Sequence, residues 1–242
     1  MNEFFVVMSI AALASFLTYL GAPLAERFDA PQSVISAALQ FAAGIITALV
    51  AFTLMPPAVR NGPVQWIMAS FFVGGTIYVI LEYVSATNQA AKGPSAAAPA
   101  SFGLFIGILV DLFIDGVVIG VGATLTLRTG LALALALAIS TLPLAFVTIA
   151  TAKRQGVSAK YRRILSYLFV ACLMGGAFLG FAFFRNQALE VRVILIALAS
   201  GFLLTTVTQS MIPEANRDGE PNFAGVLFIG GVSLYALSAL LW

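Results

Sequence analysis

The residues best suited to chemistry are two aspartates. The stretch LVDLFIDGVVIGVG, Leu109 to Gly122, carries Asp111 and Asp115 four positions apart among apolar neighbours, with no histidine, lysine or arginine beside them. On a helix this spacing sets both carboxylates on one face, one turn apart and close enough to interact. Such a pair shares a proton or binds a cation. The alternative is structural: protonated carboxyls hydrogen-bonded to Ser or Thr groups of neighbouring helices.

Oxygen donors follow in the next apolar run. In AISTLPLAF the interior Pro143 cannot donate a backbone hydrogen bond, so the Ile139 carbonyl loses its helical partner and is available to a ligand or water. Ser140 and Thr141 add two hydroxyls. A proline kink steadied by the threonine hydroxyl is the competing use of the same residues. Gly116 and Gly120 have the GxxxG spacing that admits a close second helix, and this next run is the expected partner.

The elements that hold these residues are membrane-spanning helices. Of 242 residues 61% are hydrophobic and 9% charged, and the mean hydropathy is +1.02, whereas about a quarter of an average soluble domain is charged. Eight spans are predicted, at Phe4 to Pro23, Ser33 to Met55, Val64 to Tyr83, Phe102 to Thr126, Leu131 to Ala152, Ile164 to Phe184, Val191 to Ile212 and Phe223 to Trp242. Each reaches the ~20 residues needed to cross a ~30 Å hydrocarbon core. The first run lacks the basic start of a secretory signal and is expected to be retained as a span. Short turns at Asp29-Ala30-Pro31, Pro56-Pro57, Asn61-Gly62-Pro63, Arg128-Thr129-Gly130 and Asp218-Gly219-Glu220-Pro221 are expected to separate the spans. The Ala/Pro/Ser-rich segment 85–101 reads as a flexible cytoplasmic loop. The formal charge of +2 gives no sign of nucleic-acid binding, and the single Cys172 excludes an intrachain disulfide.

Orientation follows from the basic residues. With both termini outside, the inner loops hold Arg27, Lys92, Lys153, Arg154, Lys160, Arg162, Arg163 and Arg217; the outer loops hold Arg60, Arg128, Arg185 and Arg192. Eight against four favours that topology. The setting expected is a multi-pass protein of a cell (inner or cytoplasmic) membrane.

An internal repeat organises the spans. FAAGIITALVAFTLMPPAVRNG and LASGFLLTTVTQSMIPEANRDG match at a shift of 157 residues in Ala42/Ala199, Gly44/Gly201, Val50/Val207, Pro56/Pro213, Ala58/Ala215, Arg60/Arg217 and Gly62/Gly219, and FVGG at Phe72 is answered by FIGG at Phe228. Span counting makes the repeat inverted, as in secondary transporters. The expected fold is an all-α integral membrane protein, eight transmembrane helices in a 3+2+3 bundle: residues 1–84, the loop 85–101, a central pair in 102–153, and the inverted repeat 154–242. Of the ten carboxylates, only Asp111 and Asp115 fall within a membrane core, where an ionised group costs at least ~2.5–3.5 kcal/mol.

At these residues the chain resembles the ZIP (Zrt/Irt-like) family of divalent metal transporters. DLFIDGVVIGVG is similar to the fourth-helix motif His-Asn-x-x-(Glu/Asp)-Gly-x-x-x-Gly, with Asp111 at the histidine position, Leu112 at the asparagine, and Asp115-Gly116 matching. The fifth-helix pattern falls on Ser140 to Leu144, where only Pro143 matches. In the sixth helix GAFLG is present from Gly176 to Gly180, while Leu173-Met174 replace the acidic-Pro pair. MIPEA, Met211 to Ala215, resembles the acidic end of the seventh helix and brings in Glu214; Pro57 replaces the second-helix glutamate. The resemblance implies an eight-helix carrier with an outside N-terminus.

Without histidine, the site expected is made of oxygen: Asp111, Asp115, Ser140, Thr141, Gln209 and Glu214. That set suits manganese, magnesium, calcium, sodium or a proton better than zinc, which remains reachable through carboxylate and water. The function expected is alternating-access transport of a divalent metal cation. The alternatives are a proton-coupled or non-metal carrier on the same scaffold and a non-transporting membrane binding subunit. No enzyme is expected, because no nucleophile is paired with a base and no phosphate-cradling loop occurs. No cofactor is expected beyond the metal as cargo; the partners are the lipid bilayer and a metal cation or proton, with a homodimer left open and no nucleic acid.

Overall fold

The structure, a computed structural model, describes residues 2–29, 31–90, 102–216 and 223–240. These form helices α1 (Asn2–Arg27), α2 (Gln32–Asn61), α3 (Val64–Ala90), α4 (Phe102–Leu125), α5 (Leu127–Arg154), α6 (Ala159–Phe184), α7 (Leu189–Ala215) and α8 (Ala224–Leu240), with no strand among the described residues. The first seven contain apolar stretches long enough to cross a membrane, and this is a multi-pass membrane protein. The eighth predicted span is a shorter apolar helix of 17 residues.

Several boundaries differ from expectation. The segment expected to be a loop from residue 85 is helical through Ala90, because SATNQA contains neither Gly nor Pro to break it. α6 begins at Ala159 rather than Ile164, so AKYRR is helical. Two expected turns are helical as well: α2 continues through Pro56-Pro57 to Asn61, the prolines falling in a first turn whose amides need no partner, and α5 takes in Arg128-Thr129-Gly130 because Thr126 caps it from one residue earlier. The remaining loop positions 91–101 with Lys92, Ala30 of the first turn, and Arg217, Asp218 and Glu220 of the last turn lie outside the described residues, as does Trp242.

The helices pack in pairs: α4 most extensively on α6, α1 on α5, α3 on α7 and α2 on α8, with α5 and α2 also meeting across the middle. In a lipid environment such pairing depends on close van der Waals fit, and glycine permits it. Gly44 of α2 meets the α8 backbone at Phe228 and Val232, while Gly201 of α7 meets the α3 backbone at Phe71 and Gly75. All three pairs of equivalent residues are 157 apart. The same contact has been built twice.

The repeat also carries an irregularity. α2 and α7 each contain a π-helical stretch, Leu49–Leu54 and Val207–Met211. In each the following amide, of Met55 or Ile212, reaches back five residues, to Val50 or Val207. Pro56 and Pro213 come next; a ring without an N–H crowds the preceding turn, which accommodates it by widening. At one end of the bundle, Lys153 pairs with Asp29 at 3.2 Å and Arg162 with Glu26 at 2.5 Å, tying α5 and α6 to α1.

A buried carboxylate pair on the fourth helix

α4 is fixed through its glycines, but on α6 rather than on the expected α5. Gly116 lies against Leu173 and Ala177, Gly120 against Ala177 and Phe181, and Gly176 and Gly180 return the contact onto Phe113 and Val117. GxxxG meets the Gly176/Gly180 spacing of GAFLG, so two backbones approach with no side chain between them; α5 offers no matching glycine pair at that level.

Asp111 and Asp115 project from this anchored helix into the protein, 8% and 1% exposed. Thr206 Oγ1 of α7 donates to Asp111 Oδ1 at 3.4 Å and also reaches the Phe202 carbonyl at 3.2 Å. The Tyr78 hydroxyl of α3 faces Ser210 and Thr206 of α7 and is electrostatically coupled to Asp111. The Tyr78 ring stands edge-on to Phe202, centroids 5.0 Å apart. Thus α7 supplies a hydroxyl to the α4 carboxylate, and α3 brings Tyr78 to face that hydroxyl. Asp115 Oδ1 is buried with no hydrogen-bond partner.

Among the described residues the ion pairs involve Lys153, Asp29, Arg162 and Glu26 at helix ends, and none reaches the aspartates. Two buried carboxylates without a basic partner require a proton or a cation to offset their charge. No group of three or more His, Cys, Asp or Glu residues is assembled among the described residues, so any ion would take hydroxyls and water with the carboxylates.

The other expected site residues are placed as follows. Ser140 and Thr141 are buried on α5, but Ser140 Oγ donates to the Leu137 carbonyl at 2.8 Å and Thr141 Oγ1 is bonded to Thr18 Oγ1 of α1 at 2.6 Å. Ile139 is 48% exposed and lines a different cavity. α5 runs through Pro143 as one helix. Gln209 is on the exposed face of α7. The π stretch explains this: its extra residue per turn moves the position facing Tyr78 from 209 to Ser210. Glu214 is half-buried, eight residues and therefore about 12 Å along the axis from Thr206. Its end of α7 is packed on α2, where Ser36 Oγ donates to the Ala215 carbonyl and Gln40 bonds Asn216 at 2.9 Å. Tyr78, Thr206 and Ser210 are the residues that sequence reasoning missed. Their signal was hydroxyls in apolar runs, TIYVIL and TTVTQS, without a partner to give them meaning.

The equivalent positions, with the roles of the two repeats exchanged, form a second, different site. Thr53 Oγ1 and Tyr235 Oη, each 157 residues from Ser210 and Tyr78, are hydrogen-bonded at 2.7 Å. They line a cavity of about 610 Å³ between α2, α5 and α8, walled mainly by apolar groups such as Ile45, Leu135 and Ile139, with Arg128 on its lining. No known protein family and no curated protein matches the chain.

Proposed function

We propose that the protein carries a hard divalent cation such as manganese, magnesium or calcium across the membrane, with Asp111 and Asp115 as the charged ligands; zinc would be held through carboxylate and water. The observation that carries this reading is Asp115 Oδ1: an acceptor that is buried, unpartnered and one turn from a second buried carboxylate. A polar atom in that state is costly to a structural helix and useful to a transported ion. Thr206 and Tyr78 contribute hydroxyl oxygens on the Asp111 side.

The packing supports a 3+2+3 inverted repeat. Exchanging α1 with α6, α2 with α7, α3 with α8 and α4 with α5 turns the α4–α6 pair into α5–α1 and the α3–α7 pair into α8–α2, which are the four dominant pairs present. Two halves of this kind rocking about a midplane site give alternating access. The ZIP-like motif on α4 agrees with this scheme, and the oxygen-only surroundings set the preference for harder ions. Both termini lie outside in this topology.

A proton-coupled reading is favoured by one feature, the run of hydroxyls from Ser210 through Tyr78 and Thr206 to Asp111, which could pass protons. Uptake into proteoliposomes separates the two. A divalent-ion flux lost in the Asp111→Asn, Asp115→Asn variant supports the carrier; flux that survives in it refutes the site. Proton movement without metal flux, lost in the same variant, would replace the metal by a proton-linked substrate.

A further inference from the structure

A second polar site is found far from the aspartates along the chain, at the end of the bundle where α1 meets the start of α6. A groove of about 300 Å³ there is lined by Tyr19, Pro23, Arg27, Ala159, Arg163 and Ser166, among others. Glu26 is the acid in this groove, and its carboxylate is taken by Arg162, whose Nε and Nη2 donate to its two oxygens at 2.5 and 2.8 Å. Arg27 and Arg163 form no ion pair among the described residues, although Arg163 lies in the field of Glu26. Three arginines against one glutamate leave the groove with a surplus of two positive charges.

The backbone adds to this surplus. Ala159, on the groove wall, is the first residue of the 26-residue helix α6; the N-cap Ser158 makes no side-chain capping bond and the first turn contains no acid. The amides of that turn and the helix dipole therefore favour an anion at the place where two guanidinium groups already stand. Arginine forks match phosphate oxygens in geometry as well as charge.

Beyond the groove the surface becomes aromatic and apolar. Tyr19 and Tyr167 are stacked with centroids 6.1 Å apart, and Ile164, Tyr167 and Leu168 are exposed on the same stretch of α6. Tyrosines at the end of a span mark the headgroup level of a bilayer. We infer that this groove binds the phosphate headgroup of an anionic phospholipid, with Arg27, Arg163 and the α6 N-terminus on the phosphate and the tyrosine pair beside the upper acyl chain. Basic pockets between spanning helices are suited to such headgroups. A bound lipid would bridge α1 and α6, the helices that the Glu26–Arg162 pair already joins.

Native mass spectrometry of the purified full chain, titrated with phosphatidylglycerol or phosphatidylcholine, tests this. Preferential retention of phosphatidylglycerol is expected, with apparent affinity at least about tenfold lower in Arg27→Gln, Arg163→Gln. Ala159→Glu, which places a negative charge in the groove and suits a helix start, should have the same effect with both arginines intact. Arg154→Gln, Lys160→Gln removes two charges from the same end without changing the groove's arginines and should leave retention within about twofold. Equal loss in this control would overturn the site in favour of diffuse surface charge. Glycerol phosphate displacing the lipid completely at millimolar concentration would make the groove a soluble-phosphate site and overturn the lipid assignment.

Discussion

Tyr78 and Tyr235 occupy equivalent positions of the repeat, Tyr235 bonded to the Thr53 hydroxyl of α2 and Tyr78 facing Ser210 and Thr206 of α7, and their surroundings differ. Around Tyr78 the Phe202 ring packs edge-on against the tyrosine, and Asp111 is electrostatically coupled to it. Around Tyr235 the equivalents of Phe202, Leu81 and Glu82 are the smaller Ile45, Ser238 and Ala239, which line a cavity with no carboxylate on its walls. One backbone arrangement thus carries a compact acidic site on one side and a hollow one on the other. Repetition sets the helix crossings, while side chains at a handful of positions decide what each half does.

The crossings should be the most sensitive feature. Gly44→Leu and Gly201→Leu each place a side chain where a Cβ already meets backbone, so both should lose folded protein in detergent, by more than the ~1–3 kcal/mol of ordinary overpacking. If thermal unfolding shows one tolerated and the other not, the two crossings are not equivalent. The acids come next. Asp115→Leu should abolish cation flux, with a loss of at least about 100-fold, while raising thermal stability, because it replaces an unpartnered buried acceptor by apolar volume. Lost stability would mean that Asp115 has a structural partner.

The tyrosines separate the two halves directly. Tyr78→Phe removes a hydroxyl that faces Thr206, the partner of Asp111, and should lower flux about tenfold, whereas Tyr235→Phe should cost only about 0.5–1.5 kcal/mol of stability and leave flux unchanged. Equal effects on flux would bring the cavity into the transport path. The smallest change is expected from Ile45→Phe with Ser238→Leu, which places the larger residues of the Tyr78 side around Tyr235; it should raise stability by about 0.5–2 kcal/mol with normal flux.

The membrane class, the positions of the apolar helices and the isolation of Asp111 and Asp115 were legible from residue type alone. Gln209 and the partner of Gly116 were not. A helical wheel assumes 3.6 residues per turn, and the widened turn before Pro213 shifts the phase by one, exposing Gln209 and presenting Ser210. Gly116 announces a close neighbour without saying which, and Gly176 and Gly180 supply the answer only once α6 is in place.

The sequence by itself determined that the chain resides in a bilayer and that two acids must be accounted for there. Transfer of apolar side chains is a local sum that needs no knowledge of neighbours, and a charge in hydrocarbon is costly wherever its helix goes. Only the tertiary structure decided that Thr206 bonds Asp111 with Tyr78 facing it, that Thr141 binds Thr18 instead, and that a cavity opens beside Tyr235. Those outcomes depend on which helices touch and in what phase, and between apolar helices in lipid that choice is made by steric fit rather than by hydrophobicity.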